Sequence, residues 1–193
     1  MDSSPNRQEE RKLVDAAKAG QEWALTGLYD LYFPKIYRYV LSRTGETHDA
    51  EDLTEEVFIR VLDAVGRFEW RDVPFSAWIF RIAHNAVISH RRRNGSRPKL
   101  APLSDALPID IEGPELQVEK QMLLGEIMEA SHTLPEAQQR VISLRFFAGL
   151  TIAETARVLG KGEANIKVIQ HKAVVRLREI FAERQKAHVE TKA

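Results

Sequence analysis

The chain has 193 residues, 44% of them apolar, enough for one large domain or two small ones with a buried core. It contains no cysteine, which excludes disulfides, thiolate metal sites and cysteine nucleophiles and fits a reducing, cytoplasmic location. Its 28 basic and 28 acidic residues cancel, and no apolar run approaches the ~20 residues of a membrane span, so membrane insertion is not expected.

The polar start, MDSSPNRQEERK, lacks the hydrophobic region of a secretion signal. Helical periodicity begins at about 8–19 and is broken by Gly20. A second helix is predicted over 21–43, with Trp23, Leu28, Tyr32, Ile36, Tyr39 and Val40 on an inward stripe and Pro34 placed to kink or split it. Thr44-Gly45 ends that helix. A third, over 48–65, opens with Asp49, Glu51 and Asp52, acids that complement the positive end of a helix dipole, and buries Leu53, Val57, Val61 and Val65. Residues 66–73 read as a loop. Pro74 then starts a helix reaching about Arg92, whose buried face is Phe75, Trp78, Ile79, Ile82 and Ala86.

Prolines at 98, 102, 108 and 114, with several acids and little periodicity, mark an extended, semi-stiff connector. Beyond it, helices are predicted over 115–131, 134–147, 152–159 and 163–187. Two of these carry capping-box signatures, Thr133-Leu-Pro-Glu136 and Thr151-Ile-Ala-Glu154. Gly160 separates a short helix from a long basic one, in which Ile166, Ile169, Ala173, Leu177 and Ile180 form a stripe and Lys167, His171, Lys172 and Arg178 lie opposite. Cap, short helix, glycine and long basic helix in this order form a helix-turn-helix pattern, which presents its second helix to the DNA major groove.

No sustained alternation of apolar and polar residues and no Asn-Gly or Asp-Gly turn occurs, so the chain reads as all-α. The organisation is an N-terminal tail and helix (1–20), a helical domain (21–97), a flexible acidic, proline-containing linker (98–118), a second helical domain with the helix-turn-helix (119–184) and a polar tail (185–193).

Charge follows this division. Residues 1–59 are net −5, 60–99 net +6, 100–136 net −7 and 137–193 net +6. Two basic blocks alternating with two acidic ones fit a protein that meets DNA in two places and a basic protein surface elsewhere.

Within the first basic block, Trp70, Phe75, Trp78 and Phe80 are interleaved with Arg67, Arg71, Arg81 and the run Arg91-Arg92-Arg93. Aromatics stack on unpaired bases while cations hold phosphates, the usual grip on single-stranded DNA. Phe75 and Trp78 lie on the apolar stripe and are expected in the core, whereas Phe68, Trp70 and Arg71 lie in the loop and are the better contact candidates. Asn85, on a face with Arg81, Ser89 and Arg92, is suited to hydrogen-bond a base edge. His84 and His90 fall on different helix faces and are expected to be solvated or close to DNA. The histidines lack metal spacing, and no phosphate loop or serine elbow occurs, so neither a metal, a cofactor nor a small-molecule substrate is expected and no catalytic residue is assigned.

The segments Asp49-Ala-Glu-Asp-Leu-Thr-Glu-Glu-Val-Phe58 and Phe75-Ser-Ala-Trp-Ile-Phe-Arg-Ile-Ala-His-Asn85, with the arginine run, resemble the second conserved region of bacterial sigma factors. Leu134 to Leu150 and the helix-turn-helix after it resemble the fourth. With those two domains and a short linker, the chain resembles the extracytoplasmic-function, or group IV, sigma factors. That resemblance implies an initiation subunit that binds core RNA polymerase, at its beta-prime clamp helices and beta flap, and reads promoter DNA. It implies polymerase docking by Asp49, Asp52, Glu56 and Phe58. It implies capture of the unpaired −10 element by Phe68, Trp70, Arg71, Arg81, Asn85, Arg91 and Arg92. It further implies reading of the −35 duplex by Glu163, Asn165, Lys167, Val168, His171 and Lys172, and regulation by an anti-sigma factor. The rival reading of the residues is a stand-alone helix-turn-helix regulator whose N-terminal helices dimerise or sense a ligand.

Overall fold

The computed structural model describes residues 7–71, 73–94 and 114–190, with the side chains of 94, 114–122 and 187–190 left aside. Helices follow in the order α1 (Arg7–Lys18), α2 (Glu22–Thr44), α3 (Thr47–Val65), α4 (Phe75–Asn94), α5 (Pro114–Ser131), α6 (Glu136–Ile142), α7 (Ile152–Leu159) and α8 (Glu163–Glu190). Among the described residues there is no strand. The central part of the expected linker lies outside the described residues, and its last positions, 114–118, are already the first turn and a half of α5.

Helix α2 runs unbroken through Pro34. It ends at Gly45, whose φ of 77° returns the amide to the Leu41 carbonyl, a left-handed cap that costs glycine little. The chain then reverses into α3, and α2, α3 and α4 pack around Leu28, Ile36, Val40, Val57, Val61, Phe75, Ile79 and Phe80, with α1 laid across α2. The inward stripe of α2 holds except at Trp23, which sits in the first turn and is largely exposed.

In the second half, α8 is the spine. Ile166, Ala173 and Leu177 are buried and Ile169 and Ile180 half-buried, so one apolar stripe supports α5, α6 and α7. Helix α6 is followed by a π-helical turn, Ser143–Phe147, where a single α-helix was expected. The Thr151 hydroxyl caps the Glu154 amide at 3.2 Å while the Glu154 carboxylate takes the Thr151 amide at 2.7 Å, completing the capping box of α7. Gly160, φ 62°, closes that helix.

The other capping box does not form. Pro135, not Thr133, stands at the N-cap of α6, and the Thr133 hydroxyl donates back to the Ala130 carbonyl at 2.8 Å. Glu136 is thereby the first helical residue rather than the third, and its carboxylate is free to face the other domain.

Candidate functional site

Two surfaces and one cleft carry the candidate residues. On α3, Asp52 is exposed and pairs with His48 at 3.3 Å, and Asp49 takes His90 Nε2 at 3.2 Å. Glu56 binds Arg60 on the same helix. Phe58 does not belong to this surface: it is 7% exposed, packed on Tyr29 and Phe33 with ring centroids 4.7 and 6.2 Å away. The exposed apolar residues of the helix are instead Ile59 (60%) and Leu62 (51%). Sequence periodicity held the signal, since Val57, Val61 and Val65 fix the buried face and leave 59 and 62 outside it.

The loop after α3 also turns inward. Arg67 and Phe68 amides bond the Ala64 and Val65 carbonyls, and this tight turn carries Phe68 to 4% exposure among Trp70, Phe75 and Trp78. The expectation that loop position makes Phe68 a contact residue is overturned. Trp70 is half-buried, its Nε1 donating to Asp15 at 2.7 Å beneath the Arg11 guanidinium, whereas Arg71 is exposed and paired with Glu69.

On α4, Arg81, Asn85 and Arg92 are exposed along one face. His84 is not: it is buried, with Nδ1 2.9 Å from the hydroxyl of fully buried Tyr39. Burial first, then the nearby Arg140 and Arg43 guanidiniums, lower its pKa to about 4, so it is neutral near pH 7. His90 is likewise mostly shielded, against Asp49. Neither is the solvated side chain that was one of the two expected readings, because α4 sits between α2 and α3 on one side and α7 on the other.

Arg81, His84, Asn85 and Ile88 from α4, Glu136 and Arg140 from α6, and Arg157 to Lys161 at the end of α7 line a cleft of about 610 Å³. The two domains meet around it. Arg81 Nη2 donates to the Arg157 carbonyl at 2.7 Å, Ser76 donates to the Glu154 carboxylate, and Arg91 reaches Glu136 at 2.7 Å. Glu136 also receives Arg43 at 2.6 Å and Arg140 at 2.9 Å. Burial would raise its carboxyl, but Arg43, Arg140 and Arg91 outweigh that and hold it below the ordinary value.

The third group is the outer face of α8. Glu163, Asn165, Lys167, Val168, His171 and Lys172 are all exposed on its first turns, and Gly162 accepts the Ile166 amide at the helix start. A helix of 28 residues presents them clear of the α6 and α7 packing.

Residues 28–97 match the family described as Sigma-70 region 2, and residues 132–179 match Sigma-70, region 4. The ECF RNA polymerase sigma factor ShbA of Streptomyces griseus is 34% identical over 180 residues, covering 87% of this chain and 93% of its own. The chain belongs to the ECF RNA polymerase sigma factors. It is a sigma factor directing transcription initiation.

The sigma factor is also 38% identical over 165 residues to the ECF sigma factor BldN of Streptomyces coelicolor, covering 84% of this chain but 62% of BldN's length. Its fold is shared by CnrH, solved in complex with the cytosolic domain of CnrY, with a TM-score of 0.69 at 20% identity over 91% of this chain and 98% of that one. It is shared too by RpoE in complex with the anti-sigma factor NepR from Bartonella quintana, TM-score 0.62 at 22% identity over 81% and 96%. No helix among the described residues is long and apolar enough to cross a membrane.

Proposed function

We propose that this sigma factor docks on core polymerase through the exposed acidic and apolar face of α3, holds unpaired −10 DNA on α4, and reads the −35 duplex with the start of α8. The carrying observation is the exposure of Glu163, Asn165, Lys167, Val168, His171 and Lys172 on one helix behind a capped short helix and a left-handed glycine. Hydrogen-bonding and cationic side chains near the start of such a helix are what major-groove reading requires.

On α3, Asp52 and Glu56 supply charge toward a basic protein surface, and Ile59 and Leu62 supply the apolar contact in place of Phe58. On α4, Arg81, Arg91 and Arg92 hold phosphates and Asn85 hydrogen-bonds a base edge. The acidic linker repels DNA and suits a basic protein channel in the polymerase. A protein inhibitor of the anti-sigma kind is the remaining proposed partner; RpoE is solved with one.

Multi-round transcription with core polymerase on a promoter library tests the reading. Promoter-dependent product only when the chain is present is the expected result, and its absence with folded protein defeats the proposal. A stand-alone regulator predicts instead that duplex binds as tightly without polymerase as with it.

A further inference from the structure

The match to Sigma-70 region 2 begins at residue 28, so α1 lies before it. The helix is nevertheless seated in one register on α2. Val14 and Ala17 enter the core that α1 shares with α2, and a β-carbon added at Gly27 would stand 2.7 Å from Leu13 Cδ2. The Tyr32 hydroxyl donates to the Glu10 carboxylate. Gly20, φ 76°, makes the turn between the two helices. With positions 10, 14 and 17 turned inward, positions 11 and 15, one helical turn apart, share a flank of α1.

That flank faces the turn leading into α4. Trp70 Nε1 donates to Asp15 Oδ1 at 2.7 Å, and the Arg11 guanidinium lies over the indole, its carbon 5.4 Å from the ring centroid. Phe68 meets the same ring edge-on, with centroids 5.0 Å apart and planes at 80°. Arg11 and Asp15 also pair with each other, but at 3.8 Å and with side chains 65% and 52% exposed, so solvent leaves that bond little strength. The specific ties are those to Trp70: a charge-assisted hydrogen bond to its one polar side-chain atom and a cation over its face. Three groups thus fix a side chain that would otherwise sample several rotamers on a surface turn.

We propose that Asp15 and Arg11 of α1 are positioning residues for capture of the unpaired −10 strand, acting through Trp70. The inference rests on the reading of α4 and the turn before it as the −10 surface. An indole already held in place loses no rotamer freedom when a strand arrives. A base that approaches it meets a guanidinium stacked on an aromatic ring, a flat cationic platform of the kind that grips single strands.

One measurement reads the tie and a second its consequence. The chain has three tryptophans, and 5-fluorotryptophan gives one fluorine resonance for each, that of Trp70 being the one absent in Trp70→Phe. In the full chain, Asp15→Ala and Arg11→Ala should each shift the Trp70 resonance and leave that of Trp23 in place. Asp15→Asn, which keeps the acceptor oxygen, and Lys12→Ala, which removes a neighbouring exposed cation, should leave all three nearly unchanged. Positions 11, 12 and 15 are all exposed, which keeps the core intact in these variants.

Open complexes of the holoenzyme are then followed by 2-aminopurine fluorescence in the −10 element of a library promoter. Asp15→Ala should reduce them about two- to tenfold, the range for ordering one large side chain, with affinity for core polymerase unchanged. Asp15→Asn should restore most of the loss, and Asp15→Ala should add nothing to Trp70→Phe. An unmoved Trp70 resonance in Asp15→Ala overturns the proposal, as do full open-complex formation by that variant or losses from Asp15→Ala and Trp70→Phe that simply multiply. A parent that opens no promoter defeats the −10 reading, and the positioning role with it.

Discussion

Arg43 and Glu136, 93 residues apart in sequence, lie 2.6 Å apart across the domain boundary, with the Arg43 side chain only 2% exposed. Arg43 also donates to Gln139 Oε1 at 2.8 Å, so one planar guanidinium bonds two residues of α6. Burial lowers its pKa from the free value, yet an arginine so placed keeps its charge, and the charge is matched across the interface.

Arg43→Ala should lower stability by about 1–3 kcal/mol, because Gln139 loses a buried donor while Glu136 retains Arg91 and Arg140. Arg43→Lys should recover less than half of the loss, since a single ammonium does not reproduce the planar fork of the guanidinium. Urea unfolding midpoints of the three proteins check this; equal stability of the alanine variant would show the pair to be without net effect.

Phe58→Ala should cost about 3–5 kcal/mol, as expected for emptying a buried aromatic site. Ile59→Ala and Leu62→Ala should each stay within about 0.5 kcal/mol in stability and weaken polymerase binding several-fold. Thermal melts and fluorescence competition for core enzyme separate the two effects. Unchanged affinity in both surface variants would place the apolar contact elsewhere.

Acid should destabilise the fold through buried His84 and half-buried His132. His84 faces Tyr39, Arg43, Arg140 and Glu136, and His132, whose ring nitrogens have no partner among the described residues, faces Arg43 and Arg91; burial first, and then those arginines, lower both pKa values to about 4. The unfolded chain takes up these protons near pH 6.5, before the folded one. Stability is therefore complete above the ordinary histidine range and falls as pH drops toward about 4, at up to ~1.4 kcal/mol per unit for each histidine. Glu136, held low, keeps its contribution until pH falls below the ordinary carboxylate value. Urea midpoints at pH 7.5, 6 and 5 should decline, and His84→Gln should flatten the decline; a flat parent profile would contradict the assignment.

Thr151→Ala removes the cap of α7 and should cost about 1 kcal/mol, or roughly 2–4 °C in melting temperature for a chain of this size. Glu154 loses one of its partners and keeps Ser76, so the domain contact should persist. Scanning calorimetry checks the first statement, and the distance between spin labels on Thr26→Cys and Glu183→Cys, exposed positions of α2 and α8, checks the second.

Lys167→Ala on α8 should weaken promoter binding by holoenzyme about equally across −35 sequences and reduce the salt slope by about one. Asn165→Ala should instead alter the preference among −35 sequences. Titrations at several salt concentrations distinguish a phosphate contact from a base contact.

The amino-acid sequence by itself determined the helices apart from the π-helical turn at Ser143–Phe147, the apolar stripes of α3 and α8, the capping box at Thr151 and the glycine turn at 160, because each is set by side chains within a few residues of one another. It also carried the family through linear motifs. Only the tertiary structure decided which loop and helix residues turn inward: Phe68 and His84 occupy positions that read locally as exposed, but a tight turn and a helix packed on both sides enclose them. The same holds for Glu136. Its spacing from Thr133 reads as half of a cap, whereas Pro135 takes the N-cap and three guanidiniums, two of them from the other domain, take its carboxylate. A contact between residues 93 positions apart depends on how two domains meet, and no local pattern encodes it.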